Sequence, residues 1–407
     1  MKLNKQDAET ERNVVTRNLL IFFLFVAILI SMVAIALYVP NSLPAHSDFS
    51  AIYNTDLALV NRIPIYDILR VEALAADHSD LPRENFFLAR FPYPPWYALS
   101  TFYLGLLPAR AAATLWFELN LIMLFLSIWL LTDGWSGQFR LIAFPLALFF
   151  FPVLGGLSIG QYDFPVLLGI SLLLYSIRKE NVALTTLGIV LLTFKPHVGA
   201  LVLLSALGWL IYNGGNLGRR VMRSVTIAAV VLFGVGFIAD PAWIISYPRM
   251  LLNYQSEGNV STCSECASLP VSLSRWLFDG TLATAIWIAI GLLIFIIVLF
   301  YLTRSSWRSH ELLLSSALLA TLLVSPYLYN YDYMLLLVPF AVLTNKSNLM
   351  QKIMVLICYL VPTFALILFG RAGNISLIVV TIVMFALISL HMLQMKKPVI
   401  DVNATTA

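Results

Sequence analysis

Carboxylates, a lysine and a histidine interrupt an otherwise apolar chain in SDFSAIYNTDLALVNRIPIYD (47–67), GQYDF (160–164), KPH (195–197) and SPYLYNYDY (325–333). Asp48 follows a long apolar run. There its carboxylate can take a proton from an acceptor hydroxyl at a membrane–water boundary; the plainer reading is a helix N-cap in Ser47-Asp48. Lys195 and His197 have apolar runs on both sides, a costly placement unless they face a cavity or a partner. The lysine can hold a phosphate as a point charge, or it can snorkel to the interface. Gln161 and Asp163 read as a polar site or as a boundary turn. Asn330 and Asp332 stand at a helix start, where Asp332 is also a candidate cap. Asp56, Arg62, Tyr66 and Asp67 read as a surface ion network of small value, with Pro64 to Asp67 forming a fixed turn. Cys263 and Cys266 in CSEC are a disulfide candidate in an oxidising compartment. No further zinc ligands accompany them, and no metal site is expected, although a divalent ion is not excluded. Cys358 reads as packing.

The elements that must position these residues are membrane helices. Of 407 residues 60% are apolar and 11% charged, with a mean hydropathy of +0.87, where soluble domains carry about a quarter charged residues. A transmembrane barrel would alternate apolar and polar residues, whereas here long apolar runs recur at 19–39, 95–107, 112–131, 140–153, 164–177, 182–194, 198–212, 221–239, 281–302, 311–325, 333–344, 351–369 and 374–394. The expected fold is all-α, a polytopic transmembrane bundle of about twelve crossings. The net charge of +4 is too small to imply nucleic acid. Arginines and lysines before 19, at 219–223, 304–308, 346–352 and 396–397 place those junctions in the cytoplasm. Residues 1–18 and 395–407 are then cytoplasmic and 19–394 form one domain with external loops 40–94 and 240–280. The run at 19–39 reads as a retained helix. For the parity to close, one run between 95 and 177 is not a full crossing. The first external loop has apolar residues at helical spacing, which predicts short amphipathic helices lying on the membrane. The second holds Arg249 and Arg275.

Taken in order, these residues resemble glycosyltransferase family 87, a branch of the polyprenol-phosphate-sugar-dependent enzymes with the GT-C fold. The resemblance runs through Asp48, Tyr53, Leu57-Ala58-Leu59, Ile63 to Tyr66-Asp67, Tyr93-Pro94-Pro95, Ala111 to Ala113, Leu115-Trp116, Asn120, Gly160-Gln161, Lys195-Pro196 and Ser325-Pro326 through Asp332. The sequence departs from the family pattern in having Tyr162-Asp163 where members often carry Asn after Gly-Gln, and Tyr331 where they often carry His before the position of Asp332.

The resemblance implies transfer of a sugar, often mannose, from a polyprenyl-phosphate-linked donor to a glycolipid or glycan acceptor at the external face of a membrane, here a bacterial plasma membrane. It implies Asp48 as the base of an inverting transfer. Lys195 with His197, Arg249 or Arg275 would neutralise the phosphate. Tyr53, Tyr66, Asp67, Tyr93, Gln161, Asp163, Asn330 and Asp332 would line the substrates, with membrane lipid around the bundle and no cofactor. A secondary transporter, a non-catalytic membrane scaffold and an envelope polysaccharide polymerase or ligase are the competing readings.

Overall fold

The computed structural model describes residues 39, 43, 48–78, 91–257, 266–276, 282, 285–294, 309–346 and 348–394. The expected first crossing at 19–39 therefore lies almost wholly outside the described residues, as do Cys263 and the side chain of Arg275. The described residues are helical with no strand among them.

Two helices come from the first external loop, α1 (Asp48–Val60) and α2 (Ile68–His78). After Pro95 a short helix, α3 (Pro95–Thr101), runs into a 3-10 turn (Phe102–Leu106). Then follow α4 (Ala109–Leu131), α5 (Gly137–Leu148), α6 (Phe151–Ile159), α7 (Asp163–Arg178), α8 (Val182–Leu192), α9 (Pro196–Asn213) and α10 (Gly215–Ala239). The second half has α11 (Trp243–Glu257), α12 (Leu269–Trp276), α13 (Ala285–Ile294), α14 (His310–Val324), a 3-10 helix (Asn330–Leu336), α15 (Leu337–Lys346), α16 (Leu349–Phe369) and α17 (Asn374–Gln394).

Four described stretches are long and apolar enough to cross a membrane: α4, α9, α10 and Leu349–Leu393, the last broken at Gly370 into α16 and α17. A fifth is the pair α5 and α6, bent by 57°. The run 95–107 makes only a seven-residue helix and a five-residue 3-10 turn, too short for the roughly twenty residues of a straight crossing.

Two opposite ends of the bundle are marked by charge. At one, Asp133 after α4 meets Arg178 (3.7 Å) and Lys179 (3.4 Å) after α7, while Glu311 of α14 meets Arg178 (3.5 Å) and Lys346 of α15 (2.6 Å). At the other, α7 and α9 begin at Asp163 and Lys195, and the segment after α14 leads to Asp332. The helices between these ends pack through small residues. A Cβ on Gly169 of α7 would lie 2.9 Å from the Gly188 carbonyl of α8, a backbone approach that only glycine permits.

The first external loop departs from its expected form. α1 is buried on nearly every side, with Phe49, Ile52, Thr55, Asp56 and Ala58 all inaccessible or nearly so. It is a core helix, and no surface amphipathic helix forms there, because α3 and its 3-10 turn cover it: a Cβ on Gly105 would overlap the backbone of Asp56 and Leu57. Only α2 keeps an exposed polar side, burying Val71 and Ala75. The expected surface ion network does not form either. Asp56 is fully buried and accepts from Thr101 (3.1 Å), Arg62 turns outward at a positive φ of 58°, and Tyr66 donates to the Tyr93 carbonyl (2.6 Å).

The bend between α5 and α6 frees backbone groups that a membrane cannot satisfy. α16 supplies them: Tyr359 donates to the Leu146 carbonyl (2.6 Å), and the Phe151 amide donates to the Thr363 hydroxyl (3.4 Å). One helical turn separates the two side chains, so a single face of α16 stitches the break. Replacing Tyr359 by Phe and Thr363 by Val should each cost about 1 kcal/mol, read as a lower thermal midpoint of the full chain in lipid nanodiscs; an unchanged midpoint in the double variant would show that the bend holds without them.

Candidate active site

Three segments far apart in sequence meet at the end of the bundle opposite the ion network. Lys195 donates to both Asp163 oxygens, each at 2.9 Å, and to Asp332 Oδ1 at 2.5 Å. An ammonium has three protons, and here three carboxylate oxygens accept them. All three residues are buried, with at most 2% of their surface exposed. The second Asp332 oxygen accepts from the Tyr329 amide (2.6 Å), closing a capping box on the 3-10 helix. Asp163 is the first residue of α7, where the helix dipole favours a carboxylate. The cluster carries two carboxylates and one ammonium, one formal negative charge in excess. Lys195 is therefore not the free point charge expected for a phosphate: its donors are already spent on Asp163 and Asp332.

Asp48 lies beside this cluster at the start of α1. Its Oδ2 accepts from Gln161 Nε2 (2.8 Å) and from the Tyr331 hydroxyl (3.2 Å), and its main-chain carbonyl accepts from the Tyr162 hydroxyl (2.6 Å). Gln161 Oε1 in turn accepts from the Tyr162 amide (2.6 Å), which fixes the orientation of the Gln161 side-chain amide. Oδ1 of Asp48 has no hydrogen-bond partner among the described residues and is not sealed from solvent. One oxygen is thus anchored and the other is available. Burial pushes the Asp48 carboxyl above its ordinary range, opposed in part by the nearby Lys195 charge and the Tyr331 hydrogen bond. Such an environment strengthens a carboxylate as a base.

The local fold explains how Gln161 arrives. Gly160 ends α6 with φ +68°, and a Cβ there would lie 2.7 Å from that of Phe49. Trp116 donates to the Gly160 carbonyl (2.9 Å), pinning the turn against α4. Only glycine fits this left-handed turn, which sends Gln161, Tyr162 and Asp163 in succession toward Asp48, the aromatic core and Lys195.

The other residues expected at the site divide into three groups. Tyr93 packs on Tyr162 with ring centroids 4.4 Å apart and planes tilted by 45°, and its carbonyl holds Tyr66. Both are buried supports of the loop, with Tyr247 of α11 beside Tyr66 (5.4 Å). Tyr53 donates to the Leu107 carbonyl (3.0 Å) and Asp67 accepts from the Arg70 amide (3.3 Å), so these two brace local structure. Asn330 is half-buried beside Tyr331, packed near Gly155 of α6. His197 is exposed in the first turn of α9, within reach of the Lys195 and Asp332 charges. Arg249 is exposed on α11, and no hydrogen bond or ion pair joins it to the cluster. Cys266 is buried and disulfide-bonded. Among the described residues no group of three His, Cys, Asp or Glu side chains could hold a metal.

Sequence reasoning passed over Tyr331 and Tyr162. The signal was present at both positions, which are the two where the chain departs from the family pattern, and both tyrosines touch Asp48.

The family model for glycosyltransferase family 87 matches residues 91–326, more than half of the chain. No curated protein and no solved structure matches it. The matched region holds Gln161, Asp163 and Lys195, while Asp48 and Asp332 lie outside its limits and are brought to it by the fold. A polytopic helical chain of this kind, with its polar residues gathered at one end of the bundle, belongs to glycosyltransferase family 87 and is a membrane hexosyltransferase.

Proposed function

We propose that the chain transfers a hexose, mannose in the first instance, from a polyprenyl-phosphate donor to a glycolipid or glycan acceptor, with inversion and with Asp48 as the general base. The observation that carries this reading is the division of labour between the two Asp48 oxygens. Gln161 and Tyr331 hold Oδ2, and the open Oδ1 is left to take the acceptor proton as the hydroxyl attacks the anomeric carbon. The sugar–phosphate bond breaks as the new glycosidic bond forms, and the lipid phosphate leaves with its electron pair.

Lys195 serves this chemistry indirectly. By binding Asp163 and Asp332 it holds α7, α9 and the 325–336 segment together, and so fixes Gln161 and Tyr331 against Asp48. The donor phosphate then falls to His197, exposed beside the α9 N-terminus whose amides favour an anion, with Arg249 or Arg275 as the accompanying cation. No metal or other cofactor is assigned a part. The topology that goes with this reading has about twelve crossings. The site end faces outward and the Asp133–Arg178–Glu311–Lys346 end faces the cytoplasm of a bacterial plasma membrane, with both termini inside.

Asp48→Asn should abolish transfer, by roughly a thousandfold or more for loss of a positioned base, without lowering the amount of folded protein in the membrane. The measurement is product formation by purified enzyme given a panel of radiolabelled polyprenyl-phosphate sugars; retained transfer would sink the assignment, and the panel also identifies the sugar. A labelled polymer or ligated polysaccharide would point instead to an envelope polymerase or ligase, and solute uptake without transfer to a transporter.

The pH dependence has a definite sign. Asp48 must be ionised to act, and burial favours its neutral form, so kcat/KM should rise with pH through a pKa above the ordinary carboxylate range. Tyr331→Phe removes a hydrogen bond that stabilises the charged form, and should move this acidic limb upward by about one pH unit. A limb at the ordinary aspartate position, unmoved in the variant, would count against Asp48 as the base.

Lys195→Met should leave Asp163 and Asp332 facing one another without their cation, at a cost on the order of 3–5 kcal/mol. The expected result is loss of folded protein in a detergent-solubility or thermal-unfolding measurement. A folded, stable variant with only a raised donor KM would restore Lys195 to the phosphate.

A further inference from the structure

Helix α10 is buried only near its two ends. Leu217, Gly218 and Val221 are covered at its start and Gly236 and Ala239 at its finish, and no residue between Val221 and Gly236 is buried. The start packs closely, since a Cβ on Gly218 would overlap the Leu210 carbonyl of α9. On the side turned away from that contact, Arg219, Arg220 and Arg223 are all exposed. They lie three and four residues apart, so one helix face carries three guanidiniums. α9 begins at the candidate site and α10 follows its far end, which puts these arginines at the opposite end of the bundle. Among the described residues none of the three has a hydrogen bond or an ion pair. The nearby acids are engaged elsewhere, Asp133 with Arg178 and Lys179 and Glu311 with Arg178 and Lys346.

The same face continues as an apolar track. Ile227, Val230 and Val231 follow Arg223 at helical spacing and are 66%, 67% and 54% exposed. Gly234 comes next on this face, where an added Cβ would meet nothing within 4 Å, so the track is open there. Half of a hydrocarbon core is about 15 Å deep, which roughly ten residues of helix span. From Arg223 that distance ends at about Gly234. A cluster of cations therefore stands at the head of an apolar strip as long as one acyl chain.

We propose that this face of α10 binds an anionic glycerophospholipid, its phosphate on Arg219, Arg220 and Arg223 and one acyl chain along Ile227 to Gly234. Three features favour this occupant. A guanidinium offers paired N–H donors that match phosphate oxygens, and these three have no competing carboxylate. Basic clusters beside a membrane helix attract anionic headgroups, by about a fivefold gain in affinity for each cation engaged. A second copy of the chain fits poorly, because a two-fold axis along the bundle would set the same arginines against one another.

The purified full chain in detergent is titrated with dioleoyl phosphatidylglycerol or dioleoyl phosphatidylcholine, which share acyl chains and differ in headgroup charge. Bound lipid is counted by native mass spectrometry. The anionic lipid should bind roughly tenfold more tightly, as two or three engaged arginines require. Arg223→Gln should reduce that preference about fivefold, and the triple change of Arg219, Arg220 and Arg223 to Gln should abolish it while leaving phosphatidylcholine binding as it was. Lys352→Gln, which removes an exposed cation from the start of α16, should leave the preference unchanged, which separates a local site from the overall charge of this end. Equal affinity for the two lipids, or a preference that survives both Arg223→Gln and the triple change, would overturn the proposal. So would displacement of the anionic lipid by inorganic phosphate in the millimolar range, which would make the arginines a simple anion site with no use for the apolar track.

Discussion

A single buried lysine organises the functional end of this molecule. Lys195 cannot sit in an apolar bundle alone, since an unpaired ammonium there is strongly unfavourable, and the structure answers with two carboxylates drawn from two other segments. Each of those segments carries, two residues before or one residue before its aspartate, a side chain that reaches Asp48: Gln161 before Asp163, and Tyr331 before Asp332. The ion cluster is therefore a register device. It sets the positions of α7, α9 and the late 3-10 helix relative to one another, and the groups that bind Asp48 come with them. A buried ion triad is not by itself a source of stability, so its value here lies in the geometry it imposes.

The same logic runs through the rest of the fold. Where the chain breaks its helices, a polar side chain from another element takes up the released backbone group. Tyr359 and Thr363 serve the bend between α5 and α6, Trp116 serves the turn at Gly160, and Trp287 serves the Val324 carbonyl at the end of α14. Each break lies next to a residue of the site or feeds a segment that leads to it. In a membrane such irregular backbone survives only with partners of this kind. The opposite end of the bundle carries the ion pairs among Asp133, Arg178, Glu311 and Lys346.

Separation of roles between the two Asp48 oxygens follows from the same arrangement. Two donors on Oδ2 keep the carboxylate from rotating, and the aromatic residues around Tyr162 and Tyr93 keep its surroundings dry enough to raise its proton affinity. The other oxygen is oriented with it.

Much of the molecule is legible in the amino-acid order. The apolar runs read as helices with boundaries close to those observed at α4, α7, α9, α10, α16 and α17, because helix period and chain composition are local properties. Asp48, Gln161, Asp163, Lys195 and Asp332 stood out because polar groups between apolar runs need partners. What could not be read was which partners they have. Lys195 read as a phosphate ligand, and in the structure its ammonium is bound by Asp163 and Asp332, while α1 looked like a surface helix until α3 closed over it. Tyr331 carried no charge to draw notice, yet it touches Asp48. Pairings across 137 and 283 residues depend on how whole helices pack, and only the tertiary structure decides them, since the energy that selects one partner over another is gained when the bundle forms.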